Sequence, residues 1–320
     1  MARFLVLTLL NIASRMNNTN SCLSFNRFLF GIMDIAALQA FVEVANHRSF
    51  SEAAETLFLT QPAVSKRVAQ LEAELGSRLF DRIGRRVSLT AAGNALLPRA
   101  RRLINDAREL KRLVTDLSGE VRGRLVMGTS HHIGLHRLPR PLKRFTEQFP
   151  EVELDIRFMD SETACRAVET GDLELAIVTL PPDQPPNLKL QTIWDDPLAF
   201  MVGLDHPLAG RLEVSLQELI AHPAVLPGTT TYTRGILEEA VREAGVELNV
   251  AMATNYLETL HMLVATGLGW SLLPATVLDE AVSQLEVTGM QLSRQLGAVT
   301  HRKRSLSNAG NEMVRTCMNT

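Results

Sequence analysis

Apolar positions between residues 50 and 75 follow the period of two short helices joined by a turn. Residues of the first helix that share one apolar face are Phe50, Ala53, Ala54 and Leu57. Apolar residues of the second helix recur every three or four positions, at Val64, Val68, Leu71 and Leu75. Thr60 suits the N-cap of this second helix, and Pro62 falls in its first turn, where a missing N–H costs little. The pattern predicts a helix-turn-helix with a polar outer face; an amphipathic hairpin with a solvated polar face is the alternative.

A short β-like hairpin follows over residues 78–90, with Gly84 at its tip and arginines around the tip. This is the shape of a wing, whose arginines reach phosphates beside a DNA groove. Residues 61–102 contain nine basic and three acidic residues, a net charge of +6. A polyanionic partner requires such a local charge, so the charge favours DNA binding over a purely structural hairpin.

Residues 91–117 form one long helical pattern with a heptad seam. The seam residues, spaced by four and three in turn, are Leu96, Ala100, Leu103, Ala107, Leu110, Val114 and Leu117. We expect this seam to pack against a second copy of the helix, since no other segment has a matching seam; packing on its own domain is the alternative. Pro98 removes one backbone hydrogen bond and is expected to bend the helix near its start.

From residue 123 onward, apolar strands alternate with helices. The first set comprises strands at 125–129, 152–159 and 173–178 and helices at 135–149 and 162–170. This βαβαβ order predicts a mostly parallel sheet. The second set comprises strands at 198–202, 224–226 and 250–253 and helices at 216–220, 234–244 and 256–266. The rear of the chain is therefore predicted to be α/β.

Motifs in the front of the chain carry a family resemblance. In chain order they are Leu38-Gln39-Ala40-Phe41, Ser49-Phe50-Ser51-Glu52-Ala53-Ala54, Thr60-Gln61-Pro62-Ala63-Val64-Ser65, Leu71-Glu72, Leu75-Gly76, Leu79-Phe80-Asp81-Arg82 and Leu89-Thr90-Ala91-Ala92-Gly93. The chain resembles LysR-type transcriptional regulators, closely over residues 33 to about 117 and more loosely to the C-terminus. The resemblance implies a winged helix-turn-helix followed by a two-lobed effector domain similar to periplasmic binding proteins.

The expected domains follow from the pattern and the resemblance together. They are a winged helix-turn-helix over 33–90, a dimerising linker helix over 91–118 and an effector-binding domain over 123–320. Within the last, lobe I covers about 123–197 plus 298–320, and lobe II about 198–297. The chain is expected to cross between the lobes near residues 196–202 and 292–299.

Residues 1–32 contain three arginines, no acidic residue and a short apolar run at 4–10. The run is too short to span a membrane, and a secreted DNA-binding domain makes little sense. We expect this leader to be disordered or not native, with the natural start at Met33.

Charge and cysteine content change the picture in two ways. Residues 33–122 have a balance of +3, whereas residues 123–320 have one of −8, so the DNA-binding role is confined to the front. The three cysteines, Cys22, Cys165 and Cys317, lie far apart and suggest neither a disulfide framework nor a metal spacing. A reducing cytoplasm is the expected location.

The start of a recognition helix normally enters the major groove. Gln61, Pro62 and Ser65 are therefore predicted to contact base edges. The residues predicted to hold mostly phosphates are Ser51, Lys66, Arg67, Arg82, Arg85 and Arg86.

Polar side chains gather where predicted strands end, which is where doubly wound sheets bind ligands. The candidate effector residues are Thr129, Ser130, His131 and His132 after the first strand, Thr179 after the third, and Thr229, Thr231, Thr233 and Arg234 in the opposite lobe. By resemblance, Ser130 matches a position that often contacts the effector in this family, and the 228–234 loop is the matching element across the cleft. Hydroxyls, imidazoles and an arginine suit a small anion. Helix capping is the alternative role for each serine and threonine.

A rival class is a cytoplasmic α/β enzyme in which His131 or His132 acts as a general base between the lobes. The sequence offers neither a nucleophile elbow, nor a phosphate loop, nor a dinucleotide fingerprint. A metal site at His131, His132 and His136 lacks a convincing carboxylate or cysteine to complete it. A third class is an architectural DNA-binding protein that needs no ligand, but this class gives no function to the acidic α/β region.

The sequence therefore predicts a ligand-responsive transcription regulator that is not an enzyme and needs no cofactor or metal. Its expected partners are double-stranded DNA, a small-molecule effector and a second copy of itself. By resemblance a homotetramer is expected, with RNA polymerase as a candidate partner and no membrane association.

Overall fold

The computed structural model describes residues 34–83, 86–116 and 119–320. The leader with the expected start at Met33, the wing tip at Gly84 and Arg85, and Leu117 of the seam lie outside the described residues. The chain divides into two compact units between Ala107 and Arg108.

The front unit consists of helices followed by a β-hairpin. Its elements are α1 (Ile35–His47), α2 (Phe50–Thr56), α3 (Gln61–Leu75), β1 (Phe80–Ile83), β2 (Arg86–Leu89) and α4 (Ala91–Asp116), which continues past Ala107. Strands β1 and β2 pair in antiparallel register from Phe80–Leu89 to Ile83–Arg86. The two predicted helices, the wing strands and the long helix are all present.

Local capping residues define the helix starts. Asp34 accepts from the N–H of Ala36 at 2.9 Å, and Ser49 accepts from the N–H of Glu52 at 3.3 Å. Thr60 is the N-cap of α3, but contrary to expectation its side chain makes no capping hydrogen bond. Helix α3 ends at Gly76, whose φ of 63° is the left-handed conformation that glycine adopts readily.

Three aromatic rings and the apolar face of α3 form the core of the front unit. Phe80 lies 5.4 Å from Phe41 and 5.8 Å from Phe50, between ring centroids. The residues of α3 that are fully buried are Val64, Val68 and Leu71. Leu75, predicted to belong to this stripe, is 38% exposed because the helix ends there. Glu72 accepts from the N–H of Leu79 at 2.7 Å, which fixes the approach of the wing to α3.

Helix α4 presents two different faces. Ala100 and Ile104 are buried in the core of the front unit. Leu103 and Leu110, seven residues apart on the predicted seam, are 50% and 67% exposed. These two seam leucines are thus exposed in the described part of the chain, whereas Leu96 and Ala100 of the same seam pack on the core of the front unit.

In the described part of the rear unit, seven strands form one sheet. The strands, in the order in which they lie side by side, are β10 (Val282–Leu285), β6 (Leu188–Gly203), β11 (Leu292–His301), β5 (Leu175–Thr179), β3 (Gly123–Thr129) and β4 (Val152–Phe158), with β9 (Ser271–Pro274) also on β6. Strands β4, β3 and β5 are parallel, as predicted. The prediction of a mostly parallel sheet is wrong beyond them, because β6 and β11 run antiparallel to their neighbours.

Helices cover both faces of the strands in the first lobe. They are α5 (His131–His136), α6 (Pro139–Gln148) and α11 (Asn308–Met318) on one face and α7 (Ser161–Thr170) on the other. The predicted single helix at 135–149 is two helices. Pro139 takes the first position of α6, where its missing N–H costs nothing.

The second lobe contains α8 (Leu216–Ile220), β7 (Ala224–Leu226), α9 (Tyr232–Glu243), β8 (Val250–Ala253), α10 (Leu257–Ala265) and a short 3-10 helix (Ala275–Val277). Strands β7 and β8 pair in parallel, and the fully buried Trp270 forms a parallel bridge with Ala224 of β7. No described helix is long and apolar enough to cross a membrane.

Two long strands connect the lobes. Strand β6 pairs with β11 over Leu188–Leu198 and with β9 and β10 over Leu198–Gly203. The register between β6 and β11 shifts at Leu296/Gly297. A Cβ at Gly297 would lie 2.1 Å from the carbonyl oxygen of Gln191, so only glycine fits this close approach.

Candidate effector site

A cavity of about 60 Å³ lies between the two lobes of the rear unit. This is several times the roughly 10–15 Å³ that one water needs. Its lining residues are Ser130, His131, His132, Asp160, Ser161, Glu162, Thr179, Pro227, Thr231, Thr233, Asn255, Leu257 and Arg294. Most of these side chains are polar, which suits a small polar ligand.

A buried ion-pair network forms one wall. Asp196, fully buried, accepts from Nε of Arg294 at 2.8 Å and from Nη2 of Arg137 at 2.9 Å. Nη1 of Arg294 donates to Thr233 at 2.8 Å. Burial lowers the pKa of the Arg294 guanidinium, and the Asp196 carboxylate opposes that shift. Two cations share one anion here, which leaves a net positive charge beside the cavity.

Hydroxyl groups from both lobes also line the cavity. Ser130 and Thr231 are N-caps, accepting from the N–H of Ile133 at 3.4 Å and of Arg234 at 3.3 Å. Ser161 accepts from the N–H of Thr179 at 3.2 Å. A hydroxyl donates once and accepts twice, so Ser130 and Ser161 can still donate to a ligand. Thr231 already donates to the carbonyl of Gly228 at 2.9 Å and retains only an acceptor lone pair. Capping and ligand binding are therefore compatible roles at these positions.

Carboxylates lie on another part of the lining. Asp160 accepts from the side chain of Asn255 at 2.8 Å, and Glu162 accepts from the N–H of Tyr232 at 2.6 Å. Both hydrogen bonds join the two lobes. The cavity thus has a positive region at Arg294 and acceptor groups at Asp160 and Glu162.

Histidines complete the lining. The ring of His131 lies 5.3 Å from that of Phe158 and 5.2 Å from that of Tyr256 in the other lobe. His132 is buried, and desolvation by burial, followed by the nearby charge of Arg294, lowers its pKa to about 4. Its ring is therefore neutral at physiological pH.

The structure brings six of the nine predicted effector residues to this cavity: Ser130, His131, His132, Thr179, Thr231 and Thr233. The other three lie elsewhere. Thr129 is fully buried and donates to the carbonyl of Ile177 at 2.9 Å. Thr229 is exposed, outside the lining. Arg234 donates to Glu238 at 2.7 Å, so its guanidinium is engaged within α9.

Sequence analysis missed Arg294, Asp160, Ser161, Glu162 and Asn255. Ser161 and Glu162 carried a usable signal, since they begin a predicted helix directly after a strand. Arg294 lies within a strand and carried no such signal. The buried thiols have no part in the site: burial raises the pKa of Cys165 to about 11, so it stays protonated and unreactive.

The candidate DNA-contacting residues occupy α2, α3 and the wing strands. Ser51, Gln61, Pro62 and Lys66 are exposed, and Ser65 and Arg67 are half-buried. Arg82 and Arg86 lie on β1 and β2, and Arg85 is outside the described residues. The first turn of α3 thus offers a polar surface above its buried apolar stripe.

Two domain families match the chain. Residues 35–94 match the bacterial regulatory helix-turn-helix protein, lysR family, and residues 118–320 match the LysR substrate binding domain. The chain belongs to the LysR family. This LysR-type regulator is 33% identical over 255 residues to a probable nitrogen assimilation transcriptional activator of Synechococcus elongatus, covering 78% of this chain and 81% of the relative. It is also 61% identical over 107 residues to an uncharacterized HTH-type transcriptional regulator of Azotobacter vinelandii, 33% of this chain and 74% of that one.

Among solved structures, the LysR-type regulator is similar to full-length CbnR complexed with its target DNA, with a TM-score of 0.62 and 21% identity, covering 89% of this chain and 99% of CbnR. This likeness confirms the predicted fold, a winged helix-turn-helix followed by a two-lobed effector domain. Because the matching families and relatives are transcription regulators, the chain is a DNA-binding regulator with an effector domain and not an enzyme.

Proposed function

We propose that this regulator senses a small organic acid that also carries a hydroxyl or ammonium group, bound in the cavity between its lobes. The main support for the proposal is the hydrogen bonding of the buried Arg294 guanidinium. Its hydrogen bonds use Nε and Nη1, and among the described residues Nη2 makes none. A buried cation with an uncommitted donor beside a polar cavity favours an anionic group of the ligand.

Asp160 and Glu162 support the second half of the proposal. A purely anionic ligand would be repelled by these two carboxylates, which line the same cavity. A hydroxyl or ammonium group can donate to them instead, while the acid group contacts Arg294 and the hydroxyl of Ser130. The ligand class is therefore a hydroxy acid or an amino acid rather than a simple anion.

Ligand binding is proposed to act on the angle between the lobes. The contacts of Asp160 with Asn255 and of Glu162 with Tyr232 join the lobes beside the cavity. A bound acid strengthens one lobe arrangement by the difference in its affinity for the two arrangements, and by no more. We propose that the resulting change in lobe arrangement is transmitted to the DNA-binding unit.

For DNA, we propose that Gln61, Pro62 and Ser65 contact base edges. The residues proposed to contact phosphates are Ser51, Lys66, Arg67, Arg82, Arg85 and Arg86. The exposed polar start of α3 and the local charge of +6 over residues 61–102 support both roles.

We further propose a homodimer through α4, assembling into a tetramer, with RNA polymerase as a transient partner and the cytoplasm as the location. The exposed seam leucines of α4 support the dimer. The domain limits of 33–90, 91–118 and 123–320, with lobe II at 198–297, remain part of the proposal. Strands β6 and β11 run unbroken through the proposed lobe boundaries.

A thermal-shift screen of the purified chain tests the ligand class. Hydroxy acids and amino acids should raise the unfolding temperature, since a ligand at a hundred times its dissociation constant adds about 2.7 kcal/mol. Ser130→Ala should reduce or abolish the shift.

Ser215→Ala is the matched control. Ser215 also caps a helix, accepting from the N–H of Glu218 at 3.3 Å, but it lies outside the cavity. Both variants lose a cap, and only Ser130→Ala should lose the ligand response. A response to amines or neutral sugars alone, or an equal loss in both variants, would contradict the proposal.

A further inference from the structure

Three potential metal ligands converge beside the effector cavity. His132 and His136 lie four residues apart on α5, and Glu258 lies in the first turn of α10 in the other lobe. Oε1 of Glu258 is 3.6 Å from Nδ1 of His132 and 3.4 Å from Nε2 of His136. One ligand atom from each of the three residues lies within 4.8 Å of the other two.

Buried polar atoms in this cluster have no hydrogen-bond partner. Neither ring nitrogen of His132 has one, and neither does Oε1 of Glu258. Leaving such atoms unsatisfied costs roughly 1–3 kcal/mol each, so native structures normally supply a partner. An electron-pair acceptor in the middle of the cluster would satisfy one ring nitrogen of His132 and Oε1 of Glu258 together.

The spacing fits a tetrahedral ion. Zinc binds imidazole nitrogen and carboxylate oxygen at about 2.0–2.1 Å, so two ligand atoms of a tetrahedral site lie about 3.3–3.5 Å apart. The two separations from Glu258 are close to this value. Three protein ligands also leave a fourth position for water.

The charge state fits as well. Metal ligands must be unprotonated, and burial already holds His132 in its neutral form. Glu258 supplies the negative charge. Arg294, whose charge acts on His132, is paired with Asp196, which reduces its repulsion of a second cation.

We propose that His132, His136 and Glu258 bind one zinc ion, or a cation of similar preference, and that the ion links the two lobes. Its ligands come from α5 in the first lobe and α10 in the second, so binding favours the lobe arrangement that brings them together. This inference goes beyond the organic acid sensor and does not depend on it, because the three protein ligands of the ion are not among the groups proposed to contact the acid.

Cobalt(II) titration of the chelator-treated full-length protein tests the site, since tetrahedral cobalt gives visible absorption bands. One cobalt per chain should bind, and zinc should displace it. Glu258→Gln and His136→Gln should each weaken binding by at least about tenfold, because even outer partners of metal ligands are worth that much. Both residues are 40% exposed and lie outside the cavity lining, so both variants should fold and still bind the organic acid.

His222→Gln is the matched control. His206 and His222 have ring centroids 4.6 Å apart, as do His132 and His136. No carboxylate pairs with His206 or His222 among the described residues. Cobalt affinity unchanged by His222→Gln and reduced by the other two variants supports the site. Equal affinity in wild type, Glu258→Gln and His136→Gln would overturn it, whatever the acid screen shows.

Discussion

Phe58, in the turn between α2 and α3, has a strained backbone conformation. Its φ is 54°, in the left-handed region, and its side chain is 96% exposed. The position follows the last turn of α2, where helices usually place glycine. We predict that Phe58→Gly stabilises the front unit by about 0.5–1 kcal/mol, since relief of strain exceeds the entropy cost of glycine.

Chemical denaturation of the wild type and variants measures this effect. Phe58→Ala is the control, because it removes the ring but keeps the Cβ and hence the strain. If alanine stabilised the unit as much as glycine, the exposed ring and not the backbone would be the cause.

Individual site residues were predictable where local pattern places them. Ser130 and Thr179 follow visible apolar strands, so their place at a strand end could be inferred from sequence. Arg294 could not, because its side chain reaches the cavity from within a strand whose pairing is antiparallel. Glu258 completes the proposed metal cluster from a distant helix of the other lobe. No metal site was expected from the sequence, because no carboxylate or cysteine lies near these histidines in the chain.

The DNA contacts proposed for helix α3 are of two kinds, which experiments can separate. We predict that Ser65→Ala lowers discrimination between operator and unrelated DNA by about 1–3 kcal/mol, the worth of a base contact. Lys66→Ala should instead weaken binding to all sequences and reduce the salt slope by about one. Fluorescence anisotropy over a series of salt concentrations measures both quantities.

Gln70→Ala controls for general damage to α3. Gln70 is exposed on the same helix, and its amide donates to Glu74 at 3.0 Å, away from the helix start. It should change neither quantity. Unaltered operator preference in Ser65→Ala would show that the helix enters the groove differently.

The ends of helices and strands could be predicted from the sequence where neighbouring residues determine them. Helix α3 ends at Gly76 as the pattern indicates, because the left-handed turn is encoded by one residue. The pattern did not reveal the full length of β6, since the part at Leu188–Gln191 pairs with β11, a partner found only in the fold. Likewise the break between α5 and α6 depends on Pro139, which can begin a helix as well as interrupt one.

At the scale of the whole molecule, the exposed leucines of the α4 seam are the proposed dimer contact. We predict that Leu110→Glu dissociates the dimer, because two leucines per dimer, at about 1.5–3 kcal/mol each, raise the dissociation constant at least about a hundredfold. Sedimentation velocity over a range of protein concentrations measures the change.

Leu212→Glu is the matched control for assembly. Leu212 is 93% exposed in the rear unit and lies far from the seam in sequence. Its replacement should leave the oligomer intact. A Leu110→Glu protein with the association state of the wild type would exclude the seam as the dimer contact.

The ion pair between the connecting strands has a consequence for folding fidelity. Asp196 and Arg294 are direct cross-strand partners on β6 and β11. A slip of one residue between these strands would turn the two side chains to opposite faces. Arg294 would then be a buried charge without its carboxylate partner, at a cost of roughly 3–5 kcal/mol. The pair therefore disfavours a one-residue slip between the two strands and helps to specify their native register.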